Sequence, residues 1–346
     1  MRERLKDVVD RFAGTRVAVL ADLVLDEFVH GAIARVSREA PVLILDYLGT
    51  DALPGGGANA VNNVRALGGV PIPVGVVGDD EAGRRLTFLL REAGIDTSRV
   101  STLAGFVTPT KSRVLAGLTH SRAQQVIRID RGSASRVAPE EAGAAADRAR
   151  ALLGGEGGGP AVKGLLLSDY GYDLVTPQAC RLLIEEAGRV RVPVTCDSRH
   201  RLEQFQGVTA ATPNLEEAEQ LLGTPLDGAG GGAARLGDAA RSLMERLRCR
   251  ALLITRGSRG MTLLEDGVAP FDIPVFGSDQ VADVTGAGDT VIATFTLAVA
   301  AGATCRMAAL LANAAAGLVV MKRATATVTA SELKHALDRL PEGRGD

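Results

Sequence analysis

The residues best suited to chemistry stand together in "DVTGAGD", residues 283–289. Gly286 and Gly288 leave the backbone bare, so the amides of 286–288 can turn into one concavity. An apolar run starts at Val291, and the helix it predicts would bring its positive end to the same place. Bare amides and a helix start together make an anion site. Asp289 stands at its mouth, where a carboxylate would repel an anion. It has a role there if it takes a proton from a hydroxyl that attacks a phosphoryl group, while the amides stabilise charge on the transferring phosphate. The same residues would also serve as a plain helix start with Asp289 as N-cap.

Such a motif needs a frame to hold it. Runs at 15–22, 71–80, 162–169, 191–197, 207–214 and 250–257 read as strands, with helical stretches between them. This alternation predicts an α/β fold with a mostly parallel sheet covered on both faces. Residues 57–69 carry apolar side chains at 58, 61, 64 and 67, a helical stripe closed by Gly68 and Gly69. Further helices are predicted over 80–92 and 138–153, and most of the C-terminal part is helical. Two clusters of short strands, 27–50 and 108–131, lack intervening helices and predict a small antiparallel sheet projecting from the core, with a turn at 119–122. "GGEGGGP" at 154–160 reads as a flexible linker inside a single domain spanning 1–346. Several core strands end in a polar residue: Asp22, Asp169, Asp197, Asn214 and Arg256. In a parallel sheet those ends share the edge where ligands bind.

Bulk properties narrow the class. A formal net charge of −2 implies no nucleic-acid surface, and 3% aromatic residues argue against stacking platforms for single strands. The apolar stretches 291–303 and 307–321 are shorter than the ~18–20 residues of a membrane span, and the start of the chain lacks a signal-peptide apolar region. The expectation is a cytoplasmic protein with no membrane partner. Cys180, Cys196, Cys249 and Cys305 form no C-x-x-C pair and read as buried small hydrophobes. His30, His120, His200 and His335 are scattered and suggest no metal site. "GAGGGA" at 228–233 matches a dinucleotide pattern, but no strand precedes it, so it reads as an insertion. No G-x-x-x-x-G-K-[ST] occurs, which excludes a P-loop kinase.

"DVTGAGDTV" closely resembles the signature of the ribokinase-like sugar kinases. Two further motifs of that family occur in the same order: a glycine motif, "PGGGANAVNNVRALG" at 54–68, and an N-x-x-E motif, Asn214 and Glu217 in "TPNLEEAE". The likeness runs over about residues 16–337. It implies a three-layer α/β sandwich with a β-sheet lid, ATP as co-substrate and Mg²⁺, and it allows a monovalent cation. It implies Asp289 as catalytic base, with Gly286, Ala287 and Gly288 as the anion hole. Asn214 and Glu217 would organise Mg²⁺ through water and phosphate. Thr255, Arg256 and Gly257 would lie along the ATP phosphates, with Asn313 and Gly317 near the adenine. Asp26, Gly56, Gly57 and Asn59 would hold sugar hydroxyls, and Asp169 is grouped with these substrate residues.

More narrowly, "ARVSREAPVLIL" (34–45), "TKSRVLA" (110–116), "QQVIRID" (124–130), "LLLSDYG" (165–171), "LITRGSRGM" (253–261) and "NAAAGLVVMK" (313–322) resemble the heptose 7-phosphate kinases. That likeness implies phosphorylation of the anomeric hydroxyl to a 1,7-bisphosphate, as in ADP-heptose synthesis, and a homodimer built through the lid. A kinase for another sugar or a nucleoside, or a silent binding regulator on the same fold, would share the broader motifs. The chain departs from the heptose kinases at Tyr172 and Arg199, where they have lysines, and at Ala324, where they have glycine. The lid segments add an argument of their own, because they are basic: Arg35, Arg38, Lys111, Arg113 and Arg128. Together with Arg199, the cations at 111, 113 and 128 could hold a sugar phosphate, which a kinase for a neutral sugar would not require.

Overall fold

The computed structural model describes residues 1–117, 123–155, 160–226, 241–277, 283–322 and 324–339. In chain order the elements are α1 (Arg2–Asp10), β1 (Arg16–Ala21), β2 (Leu23–Val36), β3 (Leu43–Gly56), α2 (Gly57–Ala66), β4 (Val70–Gly78), α3 (Glu81–Glu92) and β5 (Val100–Leu103). There follow β6 (Thr110–Gly117), β7 (Gln124–Arg131), α4 (Pro139–Ala151), β8 (Gly164–Asp169), α5 (Pro177–Arg189), β9 (Val194–Ser198), β10 (Ala210–Ala211) and α6 (Leu215–Leu222). The C-terminal part holds β11 (Ala251–Thr255), β12 (Met261–Glu265), β13 (Phe271–Ile273), α7 (Ala287–Ala300), α8 (Cys305–Val319) and α9 (Ala330–Leu337).

The central sheet has the order β13-β12-β11-β10-β9-β8-β1-β4-β5. Strands from β11 to β5 pair in parallel, and β12 and β13 add an antiparallel edge. Strand β1 shows why both faces are covered. Val17, Val19 and Ala21 face a core shared with α1, α2, α3, α7, α8 and α9, and Ala18 and Leu20 face another shared with α4 and α5. Strand order reverses at β1, which has β4 on one side and β8 on the other. A crevice opens outside the carboxyl ends at such a switch point, and that is where ligands bind in open α/β sheets. Helix α7 is apolar on nearly every side, and eleven of its fourteen residues are buried. It packs against α2, α8 and β8, so its polar N-terminus has one outlet, the crevice.

The second sheet has the order β3-β2-β6-β7 and is the lid. Strands β2 and β3 run longer than the pattern of short segments suggests, at fourteen residues each. They form an antiparallel hairpin, as do β6 and β7, but β2 and β6 pair in parallel. The expectation of an antiparallel sheet therefore fails at its centre. The chain leaves the lid after β3, passes through α2, β4, α3 and β5, and returns at β6 from the same side as β2. The segment 207–214 forms only the two-residue strand β10. The turn at 119–122 and the insertion at 228–233 lie outside the described residues, as does most of 154–160.

Candidate active site

Strand β3 runs into α2 without a loop. Gly56 makes the junction at φ +51°, a left-handed value that disfavours a side chain, and a Cβ there would come within 2.9 Å of Val24. A Cβ on Gly57 would lie 2.5 Å from that of Ala21. These glycines let the start of α2 press on the end of β1. Opposite stands α7, opened by Gly286 at φ +78°, where a Cβ would fall 2.5 Å from Asn59 Nδ2. Gly288 faces open space, with nothing within 4 Å of a Cβ placed on it.

Asp289 sits in the first turn of α7 rather than capping it. It is buried, and each of its oxygens has a donor. Asn59 Nδ2 donates to Oδ2 at 3.0 Å, and the Tyr170 hydroxyl donates to Oδ1. Burial pushes the carboxyl up to about 6, and Asp26 adds to the rise. The bonds from Tyr170 and Asn59, and the charge of Lys111, oppose it. A base that titrates near neutrality is suited to take a proton from a hydroxyl.

A cavity of about 330 Å³ opens onto this acid. Gly286, Gly288 and Thr285 line one wall, and Asp26, Lys111 and Arg113 from the lid line another. Asn214, Glu217, Thr255, Asp197 and Arg199 come from the carboxyl ends of β9, β10 and β11. Arg113 Nη1 makes an ion pair with Asp26 at 2.9 Å, both side chains largely buried. Thr212 Oγ1 stands at the cavity, buried and without a hydrogen-bond partner among the described residues. An orphaned polar atom at a cavity calls for a polar ligand. Lys111 and Arg199 both lie on the Tyr170 ring, 4.8 and 4.6 Å from its centre. Burial, with Arg199 next, pushes the Lys111 ammonium down to about 8.

Asn214 and Glu217 form a capping box on α6. Glu217 N donates to Asn214 Oδ1 and Asn214 N to Glu217 Oε2, both at 2.9 Å. The cap aims the pair into the cavity and leaves one Glu217 oxygen unspent. Burial raises the Glu217 carboxyl above its usual range. Asp197 beside it is pushed up to about 8, first by burial and then by Glu217. Two desolvated carboxylates of like charge, with a side-chain amide beside them, are a hard-oxygen set that fits Mg²⁺ held partly through water.

Several expected site residues do other work. Asp169 is not a cavity residue. Arg201 binds it through Nη2 at 2.7 Å and Nε at 3.1 Å, Ser198 Oγ donates at 2.7 Å and the Gly171 amide at 2.9 Å. Asn59 is spent on Asp289 rather than offered to a sugar. The Ala287 amide donates to the Val284 carbonyl at 3.2 Å, so it is not free for an anion. Arg128 is exposed on β7 and holds Asp130 with two bonds of 2.8 and 2.7 Å. Arg256 turns to Thr262 and Asp272, at 3.0 and 3.2 Å. Gly257 begins a 3₁₀ turn beyond the cavity lining. Asn313 donates to the Pro274 carbonyl at 2.9 Å, and Gly317 leaves room for the Phe276 carbonyl, 2.3 Å from where its Cβ would be. Both hold the segment after β13 against α8. Sequence reasoning missed Tyr170 and Thr212, and it saw Asp197 only as a strand end. Ala324 adopts φ +59°, a left-handed value, which explains why glycine suits that position.

A buried base over bare amides, at the switch point of a doubly covered sheet, suits transfer of a phosphoryl group to a hydroxyl. Residues 49–332 match the pfkB family of carbohydrate kinases, and the chain belongs to that family. It is an ATP-dependent carbohydrate kinase. Among curated relatives, the bifunctional protein HldE of Ectopseudomonas mendocina is 38% identical over 336 residues, 97% of this chain. The HldE protein of Caulobacter sp. is 40% identical over 336 residues, 96% of this chain. The chain spans 66% and 65% of the length of these two relatives. Among solved structures, Arabidopsis thaliana ribokinase complexed with ribose and ATP matches with a TM-score of 0.69 at 19% identity, covering 94% of this chain and 99% of that one. Escherichia coli phosphofructokinase-2 in complex with potassium matches with a TM-score of 0.71 at 15% identity, covering 94% and 98%. These structures share the ribokinase-like fold. No described helix is long and apolar enough to cross a membrane.

Proposed function

We propose that the chain transfers the γ-phosphoryl group of ATP to the anomeric hydroxyl of a heptose 7-phosphate, forming the 1,7-bisphosphate. The observation that carries this reading is the convergence of Lys111, Arg113 and Arg199 on the same cavity as Asp289. A buried phosphate without a cationic partner would be very costly, and a neutral sugar would have no use for Arg113. The likeness to the heptose kinases narrows the sugar.

In this mechanism the acceptor O–H gives its proton to Asp289 as its oxygen attacks the γ-phosphorus. The bond to the bridging oxygen breaks, and ADP leaves with that electron pair. The Gly286 and Gly288 end of α7 stabilises charge on the transferring group. Asn214 and Glu217 would hold Mg²⁺, aided by Asp197; when bound, the ion neutralises phosphate charge. The donor set at the end of α6 supports this role. Arg113, facing the cavity from the lid, is the partner for the distant sugar phosphate, and Lys111 and Arg199 serve the end nearer the base. Thr255 lies along the ATP phosphates. Arg128, paired with Asp130, acts through its charge on the lid face that carries Arg113.

ADP release with a panel of sugars and sugar phosphates tests the reading. A heptose 7-phosphate should give the highest kcat/KM. A higher value for any unphosphorylated sugar would overturn the heptose assignment and leave the kinase standing.

The lid also supports a homodimer. Strands β3 and β7 are its two edges, and Val42, Leu43, Tyr47, Leu48, Val126, Ile127 and Ile129 are exposed there. Exposed apolar edge strands call for a covering partner. Light scattering at micromolar concentration should give twice the 35.9 kDa chain mass, and a monomeric mass would refute the dimer.

A further inference from the structure

The two donors on Asp289 are held from opposite sides. Asn63 Nδ2 donates to Asn59 Oδ1 at 3.0 Å, which turns the Asn59 Nδ2 toward the acid. Asn63 Oδ1 accepts from Thr290 Oγ1 at 3.2 Å, so this chain of bonds closes on the helix that carries the base. Tyr170 arrives from the loop after β8. Its main-chain amide donates to Asp22 Oδ2 at 2.7 Å, and its ring rests against the cations of Lys111 and Arg199. Burial and the nearby Asp289 charge keep the phenol protonated, so it can act on the carboxylate only as a donor.

We propose that Tyr170 is a positioning residue for phosphoryl transfer: with Asn59 it fixes the plane and direction of the Asp289 carboxylate, so that a remaining lone pair faces the acceptor hydroxyl. An ionised carboxylate offers about four lone-pair sites, and the two donors occupy one on each oxygen. This inference rests on reading Asp289 as the base. The charged and titratable groups around that acid are Asp26 on β2, Lys111 on β6, Tyr170 after β8, and Asp197 and Arg199 at the end of β9. Removing only the phenol oxygen leaves all the others, and leaves the ring that Lys111 and Arg199 touch. What is lost is a donor to the ionised form of Asp289. The base should then hold its proton to higher pH.

The test is the pH dependence of kcat/KM in Tyr170→Phe between pH 5 and 9, which reports groups of the free enzyme. The acid limb should move up by about one pH unit, the scale of a hydrogen bond to a charged group. Activity should then fall about ten-fold at pH 5 and about five-fold at pH 6, with a smaller loss at pH 9 from the carboxylate left free to turn. An unmoved limb, or an equal loss at every pH, overturns the proposal. A second measurement keeps the phenol in place. The chain has three tyrosines, and with Tyr47 and Tyr172 changed to Phe, fluorotyrosine can be put at position 170 alone. As a stronger donor it should move the limb down, and movement upward or none overturns the proposal. If Asp289→Asn kept full turnover, the base itself would be misassigned. If that variant is inactive and the Tyr170→Phe limb stays put, only the role of Tyr170 falls.

Discussion

Asp169 and Asp289 are both nearly fully buried, at 2% and 4% exposure, and both lie at the carboxyl edge of the central sheet. Their surroundings differ in kind. Asp169 has a guanidinium on both oxygens, a hydroxyl and a backbone amide. Asp289 has two neutral donors and, among the described residues, no bonded cation. A carboxylate as fully matched as Asp169 has nothing left to offer a substrate, and removing it would leave Arg201 with Asp173 as its carboxylate partner. An acid left short of partners is costly to keep ionised, and that is what makes it a usable base. The pair shows how one edge of a sheet can hold an acid for the fold and an acid for chemistry.

The largest effect should come from Asp289→Asn. A positioned base contributes about 10²–10⁴-fold, so turnover should fall by that much while ATP binding by calorimetry stays near parental. Turnover within a few-fold of the parent would erase the distinction between the two acids. Arg113→Ala removes one member of the buried pair with Asp26. A loss of about 2 kcal/mol should lower kcat/KM for the sugar phosphate by ~30-fold, with ATP binding unchanged. An equal loss for a neutral sugar would mean that Arg113 only supports Asp26. The smallest effect concerns Lys111, whose ammonium is pushed down to about 8. Above that pH the free enzyme loses a positive charge from the cavity, so kcat/KM for the sugar phosphate should decline through pH 8. The decline should be absent in Lys111→Arg, because Arg keeps its charge. A decline that persists there would assign the titration elsewhere.

Much of the frame was legible in the sequence. The alternating runs announced a covered parallel sheet, and the glycines at 56, 57 and 286 marked the close approaches around the cavity. The parallel pairing of β2 with β6 was not legible, because it depends on the path of the chain between two lid visits. Asp169 and Asp197 look alike as strand-end acids. What separates them is Arg201, which lies 32 residues beyond Asp169 and meets it only in the fold. Tyr170 carried a faint signal, an aromatic directly after a strand-end acid, and its task appears only once α7 is packed against β8. The N-x-x-E motif was read for a metal role, and in the fold it is a helix cap that uses Asn214 Oδ1 and Glu217 Oε2 and, of the side-chain oxygens, leaves only Glu217 Oε1 outside the cap.

The most direct test of the contrast is the melting temperature of Asp289→Asn and Asp169→Asn at pH 7, measured beside their turnover. The folded-state value of about 6 for Asp289 lies above its ordinary 3.8, so the folded form binds the proton more tightly. Ionised Asp289 then costs the fold about 3 kcal/mol at pH 7, a penalty complete above about pH 6 and gone below the ordinary value. Asp289→Asn should therefore melt higher than the parent while losing turnover, and its advantage should fade toward pH 4. Asp169→Asn takes from Arg201 the carboxylate it meets through two nitrogens and leaves it Asp173, so it should melt lower, with a loss of about 1–3 kcal/mol. If Asp289→Asn melted lower than Asp169→Asn, or kept its turnover, the division of labour between the two acids would be wrong.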